Sequence, residues 1–221
     1  MATSSASADF TGTLLYDTGV DFLDNIGEIT VMCWVNSDDT TDDFDAVVCK
    51  GAPAGEAWFL QNGTGNGFAF RVDTNLGNGF PGPESSVTST GVWYNVSGTW
   101  NTSDTTTRIN LDGVEVASKS RTGSIIANTG STVKVGTDGF GNIYDGKICF
   151  VQGWDRQLSL AEITQAMYMP GTVPANLQVY SQFFTSNATE YDLSGNGRDF
   201  TRTSTGGTSN DGPPVFMLGG Q

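Results

Sequence analysis

Residues 109–118 read INLDGVEVAS, and the Asp112-Gly113 pair at their centre limits the fold more sharply than any other feature of the chain. An Asp-Gly pair supplies the positive-φ positions of a type I′ turn, the short loop whose twist matches that of two antiparallel strands. Ile109 and Leu111 then stand opposite Val116 and Val114, and that apolar face must be buried. The stretch before it repeats the pattern: Val92, Tyr94, Val96, Gly98 and Trp100 alternate with Trp93, Asn95, Ser97 and Thr99, the period of a strand. The hairpin is thus a structural element. Trp93, Trp100 and the Ile109/Leu111/Val114/Val116 face are expected to fill the space between two sheets.

The rest of the chain has the same character. It holds 29 Gly in 221 residues and only 15% charged side chains, a composition of short strands joined by turns. The length suits one large all-β sandwich with a sizeable core. Strands are predicted at FTGTLLY, EITVMCWVN, AVVCKG, EAWFLQN, GFAFRVD, TVKVG, GKICFVQGW and NLQVYSQFF. In the second of these, Ile29, Val31, Cys33 and Val35 alternate with Thr30, Met32 and Trp34, so both faces are expected to be covered. One helix is marked, in LSLAEITQAMYM: Ser159 and Glu162 form a capping box, Leu158 can staple onto Ile163, and Pro170-Gly171 stop it. Residues 1–8 read as an arm of small residues, 9–190 as the domain, and 191–221 as a turn-rich extension too poor in apolar side chains to fold alone.

Charge and residue usage exclude several functions. The net charge is −14 with ten Lys and Arg in all, which argues against nucleic acid as a partner and against anionic membranes. No stretch approaches the length of a membrane span, and MATSSASADF lacks the parts of a secretion signal, so synthesis in the cytoplasm is expected. Cys33, Cys49 and Cys149 sit in apolar strands without metal or disulfide spacing and read as buried thiols. The sequons at Asn62, Asn95, Asn101 and Asn187 are the chance product of a Ser/Thr/Asn-rich chain. There is no histidine, which removes the Ser-His-Asp and Cys-His modes of nucleophilic catalysis.

In order along the chain, ITVMCWVN, VCKG, GVWYNVSGTWN, INLDGVEVAS, VKVGTDGFGNIYDGKI and WDRQLSLAEI resemble the concanavalin A-like lectin superfamily, in its laminin G-like and pentraxin-like branch. The likeness covers roughly residues 10–170 and is of the type found in phage and environmental viral proteins. It implies an all-β, two-sheet antiparallel jelly-roll sandwich with one short helix after the last core strands. The superfamily also contains glycoside hydrolases, but no Glu-x-Asp-x-x-Glu strand occurs here, and the chain reads as not an enzyme.

Calcium is the one candidate cofactor, since members of the superfamily often carry it and hard cations take carboxylate, amide and carbonyl oxygens from loops. The candidate ligands are Asp138, Asn142 and Asp145 in TDGFGNIYDG, with Asp42, Asp43 and Asp45 as a second set and Asp192 and Asn196 as a third; each is equally readable as turn chemistry. Carbohydrate binding needs an exposed aromatic beside amides and carboxylates, for which Phe80, Phe140, Tyr144 and Trp58 are the candidates.

Two functions fit. The first is a non-catalytic display module on a virion surface, as a head decoration, fibre or tail protein with glycan adhesion. There residues 1–8 and 212–220 would lie across neighbouring copies or a viral shell protein, anchored by Phe216, Met217 and Leu218, because such termini cannot offset their ordering cost alone. The alternative is a free extracellular lectin or adhesin for cell-surface glycans, with calcium as a possible aid.

Overall fold

The computed structural model describes residues 3–4, 7–10, 14–39, 41, 44–51, 56–76, 82–126, 130–184, 187–204, 207–209 and 212–215. Among these residues, seventeen strands and one helix are arranged as β1 (Thr3–Ser4), β2 (Ser7–Asp9), β3 (Tyr16–Asp17), β4 (Glu28–Ser37), β5 (Ala46–Gly51), β6 (Glu56–Asn62), β7 (Phe68–Val72), β8 (Tyr94–Asn101), β9 (Thr106–Leu111), β10 (Val114–Ser120), β11 (Val133–Val135), β12 (Gly146–Trp154), α1 (Leu160–Tyr168), β13 (Leu177–Ser181), β14 (Thr189–Glu190), β15 (Phe200–Arg202), β16 (Gly207–Ser209) and β17 (Pro214–Val215). One sheet runs β10-β9-β8-β4-β12-β2-β16 with β13 also on β12; the other runs β14-β15-β3-β11-β5-β6-β7. All of the pairings are antiparallel. This is the two-sheet jelly-roll sandwich that the sequence predicts.

The core lies between the sheets and follows the period of two. Ile29, Val31, Cys33 and Val35 of β4 pair with Trp100, Gly98, Val96 and Tyr94 of β8. From the facing sheet come Trp58 and Leu60 of β6 with Phe70 and Val72 of β7, all buried. Gly98 marks a close approach of the two sheets, because a Cβ there would run into the ring of Phe70. Lys50 on β5 is fully buried and is held by Asp21, by Asp24 at 3.4 Å and by the Ser131 carbonyl at 3.0 Å, the partners an interior ammonium requires.

The outer face of the β4 sheet is covered as well. Helix α1 starts at the Ser159–Glu162 capping box, with Leu158 and Ile163 both buried, as the staple requires. Trp34 donates its indole N–H to the Met167 carbonyl (3.1 Å), and Trp154 donates to the Val173 carbonyl (2.8 Å). Both faces of β4 are therefore buried from Ile29 to Ser37. Asn62 and Asn95, each the first residue of a sequon, are buried in strands.

Asp112 and Gly113 have φ values of +50° and +79° and join β9 to β10 as predicted. Trp100 and Ile109 fill the core, but Val114 and Val116 are exposed and Trp93 and Leu111 only pack at its margin. The register shifts between Glu115 and Ala117, so Val116 is the extra residue of a bulge. In addition β7 lies over β8 and β9, and β10, the outermost strand, extends beyond this overlap.

The described terminal strands pair within the chain. β2 sits between β12 and β16, Thr3 and Ser4 pair with Val215 and Pro214, and the Thr203 N–H donates to the Leu15 carbonyl. Residues 1–8 and 212–220 were expected to lie across neighbouring chains; their described strands are paired within this chain, which supplies what the sparse apolar side chains do not. Phe216, Met217 and Leu218 lie outside the described residues.

Candidate functional site

Among the described residues, the outer face of the second sheet carries no helix. The residues that alternate with its core positions point there: Cys49 from β5, Phe59 and Gln61 from β6, and Arg71 from β7, with Cys49 facing Phe59 and Phe59 facing Arg71 in register. Ala46, Cys49 and Phe59 form a small apolar cluster of their own. Above it opens a cleft of about 340 Å³ between Phe44 on one side and Phe140 on the other, floored by Phe59 and Gln61, with Glu56, Arg71, Asp138 and Asn142 around it.

Two aromatic rings stand at this cleft exposed to solvent, Phe140 at 54% and Phe44 at 38%. Phe44 is fixed by its backbone: its φ is +73°, an uncommon conformation for a bulky residue, and its N–H donates to the Asn62 carbonyl at 3.2 Å. The Arg71 guanidinium lies 4.6 Å from the centre of the Phe44 ring, a cation–π contact, and donates to Glu84 at 3.2 Å. Glu56 is held above the usual carboxylate range, first by burial and then by the charges of Asp73 and Asp138, with Arg71 opposing. Beneath the cleft the Cys49 thiol donates to the Thr137 carbonyl, and burial pushes its pKa up, which leaves it unreactive.

Phe140 is presented by a loop that caps itself. One oxygen of Asp138 accepts from the N–H groups of Phe140 (2.6 Å), Gly141 (3.1 Å) and Asn142 (3.1 Å), and the other accepts from the Asn142 side-chain amide. Asp138 is itself buried. Its carboxylate spends its hydrogen-bonding capacity on shaping the loop, which sets the Phe140 ring over the sheet.

Sequence comparison agrees with this architecture. A laminin G family model, described as concanavalin A-like lectin/glucanases superfamily, matches residues 11–164. The chain belongs to that superfamily. A sequence search of curated proteins finds no match. Among solved structures, a protein from Bacteroides ovatus described as carbohydrate-binding superposes with a TM-score of 0.73 at 17% identity, over 96% of this chain and 62% of that one. This chain thus spans less than two thirds of that protein. The heptameric SAP-like pentraxin of Limulus polyphemus gives 0.62 at 14% identity, covering 93% of this chain and 94% of that one. Domain 4 of a GH43 extracellular arabinanase from Geobacillus stearothermophilus, solved with arabinotriose, gives 0.52 at 13% identity, with 72% and 75% covered. At these identities the likeness is one of fold: lectin-like, of the kind found in carbohydrate-binding domains.

Of the sugar-contact candidates read from the sequence, Phe140 lies at this cleft. Trp58 and Tyr144 do not. Both are fully buried, Trp58 donating to the Leu23 carbonyl (2.7 Å) and Tyr144 sharing a hydrogen bond with Ser37 (2.8 Å). Each takes a core-facing position in a sandwich whose largest side chains fill the space between sheets. Phe80 lies outside the described residues.

Of the metal candidates, Asp138 and Asn142 come together at the cleft. Asp145 is half-buried where β12 begins, and its carbonyl accepts from Asp38 N–H at 3.1 Å. The donor set fits calcium poorly as arranged, because four N–H groups already occupy the Asp138 carboxylate. Among the described residues no group of three His, Cys, Asp or Glu side chains is placed to hold a metal ion. Asp42 and Asp43 lie outside the described residues, and Asp45 is buried. Asp192 accepts from the N–H groups of Tyr180, Ser194 and Arg198 and from the Ser194 hydroxyl, while Asn196 donates to the Leu177 carbonyl. That turn straps the extension onto β13.

Sequence reading missed Phe44, Glu56, Phe59, Gln61 and Arg71. The alternation that places Trp58, Leu60 and Phe70 inside also places Phe59, Gln61 and Arg71 outside. Phe44, a lone aromatic in an acidic run, carried the clearest signal.

Proposed function

We propose that this chain is a non-catalytic carbohydrate-binding module that takes a neutral glycan in the cleft between Phe44 and Phe140. The exposure of both rings beside amide and carboxylate groups carries the reading, since sugars offer an apolar face to an aromatic and hydroxyls to polar neighbours. Glu56 and Asp138 make the cleft unfavourable for anionic sugars. Glycoside hydrolysis calls for two working carboxylates, and Asp138 is committed to its loop, so binding rather than cleavage is the role that fits.

The test is isothermal titration with neutral oligosaccharides, in calcium and in a chelator. Binding is expected to fall about tenfold in Phe140→Ala, the loss of one stacked ring at ~1.4 kcal/mol, without loss of fold. Equal affinity in that variant would remove this cleft from the function. Calcium held by Asp138, Asn142 and Asp145 requires the Asp138 loop to open, and binding lost only in the chelator arm is its signature.

A second reading builds on the first. β17 lies beside α1 and pairs with β1, so these two terminal strands lie on the helix side, away from the cleft. A module attached there to a shell, such as a virion surface, would present the cleft outward. Deletion of residues 205–221 should then abolish attachment while sparing glycan binding.

A further inference from the structure

A second depression, of about 370 Å³, lies on the helix-covered side, where α1 begins above β8, β9 and β10. It is independent of the Phe44/Phe140 cleft. Its lining includes Thr99 and Asn110, diagonal neighbours on the outer face of β8 and β9, each only 1% exposed. Among the described residues, the Thr99 hydroxyl and the Asn110 Oδ1 have no hydrogen-bond partner. The Asn110 orientation is not arbitrary, because its Nδ2 donates to the Ser97 carbonyl at 3.2 Å, an atom that can only accept. Oδ1 is therefore an acceptor without a partner. A buried polar atom left unmatched is costly, and here two belong to residues that line one pocket.

The walls narrow the choice of ligand. Arg108 is already paired with Asp104 (2.7 Å) and Glu115 (3.3 Å) and donates to the Thr106 carbonyl (3.2 Å), so two carboxylates neutralise the charge it could offer an anion. Leu160 and Ile163 supply an apolar side, and the lining holds no aromatic ring. From the two open polar atoms, the neutral charge balance and the volume, we infer a second binding site, specific for a small uncharged polyol of monosaccharide size, whose hydroxyls donate to Asn110 Oδ1 and exchange a hydrogen bond with Thr99.

The test is amide-detected NMR of the full chain titrated with glucose, galactose, mannose and glycerol. At least one probe should shift the Asn110 side-chain amide together with Thr99. Thr99→Val, which removes a hydroxyl without a protein partner and so keeps the fold, should weaken that shift's midpoint about fivefold, the worth of one hydrogen bond. Phe140→Ala should leave it unchanged, whereas it removes binding at the first cleft. The site is refuted if no probe moves these resonances, which would mean that water alone satisfies the two atoms. It is equally refuted if Thr99→Val has no effect, or if Phe140→Ala abolishes the shifts.

Discussion

The two outer faces of the sandwich solve the same problem in opposite ways. On the β4 sheet, Met32, Trp34 and Trp154 are covered by α1 and the segment after it, and each indole N–H is matched to a carbonyl of that cover. On the β6 sheet, Phe59 is sealed by its neighbours while Phe44 and Phe140 stay in solvent with Arg71, Gln61 and Glu56 between them. Aromatic surface left uncovered on one face of a chain that can cover it on the other is the observation behind the proposed glycan site. On that proposal, stability is concentrated on the first face and recognition on the second.

The largest test of that division removes an aromatic from each side. Trp154→Ala empties a fully buried site and strips the Val173 carbonyl of its donor, and should cost about 3–5 kcal/mol. Phe140→Ala should change stability by no more than about 0.5 kcal/mol, as for an exposed residue. Denaturant unfolding of both variants measures the contrast. A similar loss in both would mean that the open face is part of the core.

The covered face was the more legible in the sequence. Ser159, Glu162, Leu158 and Ile163 form a local code, read within six residues, and β4 announced two buried faces by carrying Met32 and Trp34 at its alternate positions. The open face was legible only in part. Phe140 and its Asp138 turn are local, but the cleft joins Phe44, Glu56 and Arg71 from separate strands and loops, and only the register of β5, β6 and β7 brings them together. Trp58 and Tyr144 show the converse: an aromatic beside polar residues in sequence faces inward when the pleat puts it there.

A middle-sized effect is expected at the hairpin, which touches the covered face. Gly113 has φ +79°, and a Cβ on it would sit 3.0 Å from Thr164 Oγ1 of α1. Gly113→Val combines a left-handed β-branched residue with that crowding and should lose about 1–3 kcal/mol. Glycan binding at the open face should be unchanged. Reduced affinity at temperatures where the variant is folded would show the two faces to be coupled.

The smallest and most discriminating test uses one carboxylate from each face. Glu162 in the capping box is held down to about 2, chiefly by its hydrogen bond from Arg156 and then by the Ser159 N–H. Its ionised form therefore stabilises the fold above the ordinary carboxylate range, a contribution lost as pH falls through about 2. Because its side chain is 34% exposed, solvent screening brings the expected cost of Glu162→Gln down to about 1 kcal/mol at neutral pH. Glu56 in the open cleft is shifted the other way by burial and by Asp73 and Asp138. Its charge opposes folding above its raised pKa, and that opposition fades as acid protonates it. Glu56→Gln should accordingly stabilise the protein at neutral pH and match the wild type in acid. Melting temperatures of the two variants across pH should diverge from the wild type in opposite directions as pH rises. A Glu56→Gln variant that melts lower at neutral pH would show that the Glu56 charge is used by the fold itself, and the open face would lose its character as a surface kept free for a ligand.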